Sequence, residues 1–532
     1  MQHTINDVMR TTTLNYLGTI NPNNPPEPSV IEEKLLEQVQ TEFELYNTVA
    51  PKGCKWKIPQ RLEFEQIADI VSTLYPVCRI ATGGENADTE YDLLAIYQTD
   101  GPDEGIYVTS DEVFRNLARS YNYKMTKWEF GEFMTALRDM VPRKYRCLKP
   151  NLIAVNNGIF DYGTKQLLPF TPDLVFMAKS KVDYVDNPVN PVIHNPNDNT
   201  DWDVESWMNE LSDDKDVVNL LWQILGAIIR PNVPWGKSAW FYSESGNGGK
   251  GTLCELMREL CGKGTYASIS LSDMSKDFML EPLTRATAII VDENDVGTYI
   301  DKAANLKAIV TGDTIQMNRK FKMPIAYQFK GFMVQCLNEM PRVKDKSDSF
   351  YRRQIFVPFM RCFTGRERKY IKQDVLEYVL HRVLTMDDYY ELDTPEVCVQ
   401  ALNEYKEFND PVRQFMSEIM HQLVWDLVPF RFLYALYRAW YEKNCGSKGD
   451  MKSMSTFKQE FLIRLKEYPE WFCDDPGKYM KPGKKMDEAE PLIAEYDLKE
   501  WMNPMMSGSH DISKRCHPVL KSTYAGILRV TT

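Results

Sequence analysis

The stretch SESGNGGKGTLCEL, residues 243–256, constrains this chain more than any other. Gly246, Asn247, Gly248 and Gly249 run straight into Lys250, Gly251 and Thr252. Upstream, SAWFY (238–242) is an apolar run of strand character. Downstream, Leu253, Leu256, Met257 and Leu260 recur at helical spacing. A glycine-rich turn between a strand and a helix N-terminus offers an anion both free backbone N–H groups and the positive end of the helix dipole. The alternative is a turn with a structural role only. The pattern GxxxxGK[ST] is met imperfectly, because Glu244 stands where its first glycine falls and Gly251 follows the lysine. In the phosphate-binding case Lys250 reaches the β- and γ-phosphates, and a magnesium ligand comes from Thr252 or is replaced by water.

The apolar runs downstream of the loop favour the phosphate case. TAIIVDEN (287–294) is a β-branched run ending in two acids, and Asp292 lies 42 residues beyond Lys250. A buried strand that delivers Asp292 to a magnesium ion and Glu293 to an attacking water is what nucleotide hydrolysis requires. GFMVQCLN (331–338) is a third strand, ending in Asn338, a side chain able to orient that water. The same asparagine also suits a simple strand-end turn. SFYRRQIFVPF (349–359) places Arg352 and Arg353 before a further apolar strand. In a ring of subunits either arginine could reach a neighbour's γ-phosphate; the other outcome is pairing with local carboxylates.

The net charge of the chain is −12, yet residues 301–370 hold fifteen Lys/Arg against six Asp/Glu. A basic segment within an acidic protein is either one focused polyanion site or a solvated face. Inside it, GDTIQMNRKFKMPIAYQF (312–329) reads as a β-hairpin with Arg319, Lys320, Phe321 and Lys322 at its tip. Cations there would hold phosphates and the phenyl ring would stack on a base; a merely hydrated turn is the alternative.

Taken together, SGNGGKGT, IIVDEN, TGDTIQMNRKFK, VQCLN and SFYRRQIFVPF resemble the superfamily 3 AAA+ helicases, and more narrowly the phage/plasmid primase–helicase family that includes poxvirus-type enzymes. NNGIFDYGTKQLLPFTPD (156–173) resembles the region that precedes the helicase core in that family. The likeness covers roughly residues 145 to 425. It implies an α/β fold: an AAA+ P-loop core with a parallel sheet, preceded by a mixed and helical N-terminal region and followed by a winged-helix-like C-terminal domain. It also implies a homo-oligomer, a hexameric ring, that uses ATP and Mg2+ to move along single-stranded DNA. Gly246 to Thr252 would then bind the nucleotide and Thr252 and Asp292 the metal. Lys250, Asp292, Glu293, Asn338 and Arg352 or Arg353 would serve catalysis, and Arg319, Lys320, Phe321 and Lys322 would grip DNA. Two departures bear on the metal ligand: Gly248 stands where the family usually has asparagine, and Gly251 replaces the hydroxyl residue. Family members with a primase domain in front need a DxD-like acid pair and a downstream histidine. No histidine occurs between His3 and His194, so no primase activity is expected here, and a separate primase becomes an expected partner.

The rest of the chain is plainer. At 532 residues, 43% hydrophobic and 26% charged, it has the composition of a multidomain globular protein. Eleven scattered cysteines without a CxxC pair, no export signal and no long apolar run point to a cytoplasmic protein away from membranes, in a bacterial host if phage-encoded. Pattern changes divide it into 1–110, of no evident role; 111–235, a helical region of the pre-helicase or oligomerisation kind; 236–375, the nucleotide core; 376–425, a helical connector; and 426–532. In the last, Phe430, Leu433, Tyr437 and Trp440 form one helical stripe and Phe457, Phe461 and Leu465 another. Lys478, Lys481, Lys484 and Lys485 follow in a Gly/Pro-rich loop, an order that suits a winged helix on duplex origin DNA or a packing module. A replication initiator without processive unwinding is the second functional class, and a nucleoside monophosphate kinase, which can share GKGT, is a third.

Overall fold

The computed structural model describes residues 4–22, 24–82, 89–196, 199–244, 246–320, 322–363, 371–444, 451–506 and 511–530. It is a mixed α/β chain in two compact units. One comprises Met1–Asp345 with Arg352–Val399, the other Lys346–Tyr351 with Gln400–Thr532. The division falls inside the Glu396–Asn409 helix.

The first unit begins with helices Ile5–Leu17, Pro28–Val49 and Phe64–Leu74, followed by Asp111–Tyr121 and Lys127–Met140. The Lys127–Met140 helix starts with a reciprocal cap between Thr126 and Glu129: each side chain takes the other's backbone N–H. DLLAIYQT and GIYVTS supply the strands Leu93–Tyr97 and Tyr107–Val108. These join Val77–Ile80 and Arg143–Lys144 in a four-stranded sheet. The apolar turns of NNGIFDYGTKQLL form strands Gly158–Asp161 and Gln166–Leu168, which join the preceding Leu152–Val155 in an antiparallel meander.

The heart of this unit is a five-stranded sheet in which every pairing is parallel. Its spatial order is Tyr266–Ala267, Ala288–Val291, Phe332–Leu337, Ser238–Tyr242, Gln354–Pro358. Numbered along the chain, and read from the other edge, that is 5-1-4-3-2. The central strands are buried along nearly their whole length, on both faces, as is usual for parallel sheets. Ile290, Val334, Phe241 and Val357 sit in one core with Leu253, Met257 and Leu260 of the Lys250–Cys261 helix. Helices Lys215–Ile229 and Gln373–Thr385 contribute Leu221, Ile224, Val379 and Leu380 to the same core. Because all five strands run the same way, the loops after their carboxyl ends emerge at one edge. Open parallel sheets place ligands along that edge, where the strand order reverses.

The second unit contains helix Pro411–Ile419, strand Leu427–Pro429, helices Phe430–Asn444 and Met454–Arg464, and strands Trp471–Phe472 and Gly526–Arg529. The last strand lies between the other two and is antiparallel to both. The two helical stripes face one core, where the rings of Phe415, Tyr437, Trp440 and Phe457 lie against one another.

Candidate nucleotide-binding site

The loop between Tyr242 and Lys250 owes its shape to residues that accept left-handed backbone. Gly246, Asn247 and Gly249 have φ of 66°, 50° and 88°. Asparagine is among the few side chains that adopt this region routinely. A Cβ at Gly249 would be strained by that φ and would stand 2.6 Å from Leu211 Cδ2. Gly249 caps the Lys250–Cys261 helix with no side-chain hydrogen bond, so no side chain from the cap competes for the first-turn N–H groups. The loop is pinned from outside by the Phe363 N–H, which donates to the Asn247 carbonyl at 3.0 Å.

Lys250 is buried beneath this loop. Its ammonium donates to Leu337 O at 2.8 Å, Asn338 Oδ1 at 2.7 Å and Ser243 O at 3.3 Å. All three acceptors are neutral, and burial pushes the pKa of the amine down. A buried cation with neutral partners gains from an arriving anion.

The strand order explains why these groups meet. Phe332–Leu337 lies between the strand that enters the loop and the strand that ends in Asp292. Asn338 is therefore placed between the loop and the acid pair. Gly246 to Thr252, Asp292, Glu293 and Asn338 together line one cavity of about 380 Å³, within the range of ligand sites. Thr252 and Asp292 face the same space, as joint magnesium ligation requires, so the residue set fits the ion; Gly251 offers it nothing.

Several contributors carried no sequence signal. Trp207 and Glu210 line the cavity from the Val204–Glu210 helix, and Phe363 from the segment after the last strand. Arg258, two turns into the loop helix, pairs with Asp292 at 2.8 Å. Asn294, next to Glu293, is buried and takes the Leu271 N–H at 3.0 Å. It donates to Gln335 Oε1 at 3.0 Å and Cys336 O at 3.1 Å. Gln335 in turn donates to Ile269 O at 3.1 Å. This network fixes the turn that presents Asp292 and Glu293. Asn294→Ala strands three partners in the interior and is expected to cost about 2–4 kcal/mol of stability. Chemical denaturation checks this, and a loss under about 0.5 kcal/mol would contradict it.

Other residues singled out in the sequence lie away from the cavity. Arg352 is exposed and Arg353 half-buried, and both precede the Gln354–Pro358 strand. They therefore sit at the amino edge of the sheet, opposite the loop. The hairpin forms from Thr314–Arg319 and Lys322–Gln328, with a register shift between Met317 and Arg319. Ile315, Met317, Ile325 and Tyr327 are buried along one face, so it lies down on the fold along most of its length. Arg319 is half-buried and donates from Nε and Nη2 to Met323 O at 3.2 and 3.0 Å, bracing the turn. Lys320 is exposed. Phe321 and the side chain of Lys322 lie outside the described residues.

Residues 241–353 match a family described as "Family of unknown function (DUF5906)". Residues 407–502 match one described as "Poxvirus D5 protein-like". Comparison with curated proteins finds no match. Among solved structures, an A-form apo structure of the NrS-1 C-terminal region is 14% identical over 76% of this chain and 86% of its own, with a TM-score of 0.39. A second, of NrS-1 residues 305–718, is 14% identical over 88% and 100%, with a TM-score of 0.42. An apo structure of the same 305–718 region is 13% identical over 80% and 98%, with a TM-score of 0.41. Superposition at this level is too loose to define a shared fold. The chain thus carries two separate matched segments: one spans the loop, the acid pair and the arginine pair, and the other, D5-like, lies in the second unit.

Proposed function

We propose that this chain is an ATP-dependent DNA helicase of a phage or mobile genetic element, working as a hexameric ring on single-stranded DNA during replication. The observation that carries this reading is the single sheet edge that gathers the Lys250 loop, Asp292, Glu293 and Asn338 around one cavity. The order of motifs along the chain, which resembles superfamily 3, supports it. So does the D5-like segment at 407–502, since poxvirus-type enzymes stand within the primase–helicase family that the motifs resemble.

In this reading the first-turn N–H groups and Lys250 hold the β- and γ-phosphates of ATP. Thr252 and Asp292 would hold magnesium, which supplies charge neutralisation when bound. Arg258 keeps the Asp292 carboxylate oriented until then. Glu293 takes a proton from the attacking water, and Asn338 orients that water while sharing Lys250. Arg352 or Arg353, distant from its own subunit's cavity, serves the cavity of a neighbour in the ring. An AAA+ core is the fold that this role assigns to the parallel sheet. No primase activity is proposed, and a separate primase would be a partner in replication. The reading places this work in a host cytoplasm; among the described residues no helix is long and apolar enough to cross a membrane.

Helix, strand, two helices and two strands, with the last strand in the middle, supports a winged-helix reading of the second unit. Its basic loop, with Lys478, Lys481, Lys484 and Lys485 exposed beside exposed Tyr479, gives the origin-binding initiator its supporting observation. Full-length protein that binds one duplex sequence far above others yet separates no strands would favour the initiator.

The hairpin tests the helicase. Lys320→Ala combined with Lys322→Ala removes two phosphate contacts. The slope of log affinity for single-stranded DNA against log salt should then shrink by about 1.4. Strand separation should fall while ATP turnover without DNA stays near wild type. Equal losses in both activities would count against the hairpin as the moving part.

A further inference from the structure

A second cation-lined cleft lies at the far end of the sheet from the nucleotide cavity. Its lining includes Arg146, Arg285, Lys330, Asn232 and Tyr327, and among the described residues no carboxylate lines it. Three elements far apart in sequence supply the cations. Arg146 follows the four-stranded sheet. Arg285 precedes the Ala288–Val291 strand, and Lys330 precedes Phe332–Leu337. Since those two strands are parallel, Arg285 and Lys330 both stand at their amino edge.

The arrangement is built rather than a loose surface cluster. Arg146 is clamped onto the hairpin: Nη1 donates to the Tyr327 hydroxyl at 3.0 Å and Nη2 to Gln328 O at 3.0 Å. Its guanidinium lies 5.0 Å from the centre of the Tyr327 ring. Both of these acceptors are neutral. Lys330 is half-buried, and burial followed by the nearby Arg146 charge pushes its pKa down, against a weaker pull from Asp313. Arg285 is exposed at the rim. Cations held together at a cost, with no acid lining the cleft among the described residues, suit an anion. The cavity measures about 60 Å³, much smaller than the 380 Å³ of the nucleotide cavity.

We infer that this cleft takes a phosphodiester of a single-stranded nucleic acid, anchoring the strand at the root of the hairpin whose tip is basic. The inference rests on the nucleic-acid part of the proposed function and adds a site to it. A strand held at both root and tip would be gripped on each side of the hairpin's buried face, so movement of the hairpin would be passed to the strand.

The test uses the full-length protein, a labelled oligothymidylate, and Arg285→Gln with Lys330→Gln, which remove charge where the fold exposes or half-exposes it. Binding is measured across a salt series, with inorganic phosphate as a competing probe and a fluorescent ATP analogue as a control. Expected are about a tenfold loss of oligonucleotide affinity in the double variant and a salt slope smaller by about 1.4. Analogue binding should be unchanged, and millimolar phosphate should compete weakly. If the wild type binds the oligonucleotide and the variant matches it in affinity and slope, the cleft is no strand anchor, while the helicase reading stands. If phosphate alone binds at the cleft and oligonucleotide does not displace it, the site serves a free anion and the inference is wrong. If the wild type hydrolyses ATP but binds no oligonucleotide, both the anchor and the nucleic-acid part of the proposed function fail.

Discussion

Lys250→Ala is expected to abolish ATP hydrolysis, with a loss of at least about 10²–10³-fold in turnover and weakened nucleotide binding. The ammonium is the cation buried under the glycine loop, and its three acceptors fix it there. Removing it takes away the charge that meets the phosphates in the proposed mechanism and leaves Leu337 O and Asn338 Oδ1 short of a donor. Part of the effect therefore reaches the fold. Lys250→Met keeps the aliphatic stem but supplies no donor, so it recovers only the packing part of that loss: its unfolding midpoint should lie above that of Lys250→Ala while its turnover stays as low. Turnover within a few-fold of wild type in either variant, measured by phosphate release, would remove the loop from the mechanism.

Glu293→Gln carries the second large effect. Glu293 is exposed and lines the cavity beside Asp292, while its neighbour Asn294 is locked in the interior. The substitution keeps size and shape but removes the carboxylate proposed as the base. Hydrolysis should drop by about 10²–10⁴-fold, the usual worth of a positioned general base, while ATP binding persists. The variant should hold nucleotide and any assembled state that nucleotide favours. Normal turnover would reassign the base. Loss of binding together with turnover would mean that Glu293 shapes the cavity instead of acting in it.

Much of this site was legible because its parts are local in sequence. Glycines before a lysine, an apolar run ending in two acids, and a strand ending in asparagine are short patterns with local physical causes. The parallel sheet then brings them together. The hairpin was legible for the same reason: Ile315 and Met317 alternate with polar residues, and both are buried. Long-range placements were not legible. Arg258 on Asp292, Phe363 on the loop backbone, Trp207 and Glu210 on the cavity wall, and Arg146 on Tyr327 depend on which elements pack together. Asn294 could have been suspected, since an asparagine after two exposed acids at a strand end needs partners if buried. Only the register of Phe332–Leu337 shows that Gln335 and Cys336 supply them. The helical segment read as one connector, 376–425, is shared out: Leu380 and Leu384 join the sheet's core, whereas Phe415 and Ile419 join the core of the second unit. Periodicity marks a helix's apolar face without naming what that face meets.

The central claim is ATP turnover coupled to a single strand by an assembled protein. The direct measurement is the steady-state rate of phosphate release by the wild type with and without oligothymidylate, in samples whose mass is determined with a non-hydrolysable ATP analogue. The expected result is a multi-subunit assembly of six copies and a rate that rises on adding the strand. A monomer under every nucleotide and strand condition, hydrolysing ATP at a rate indifferent to DNA, would contradict it.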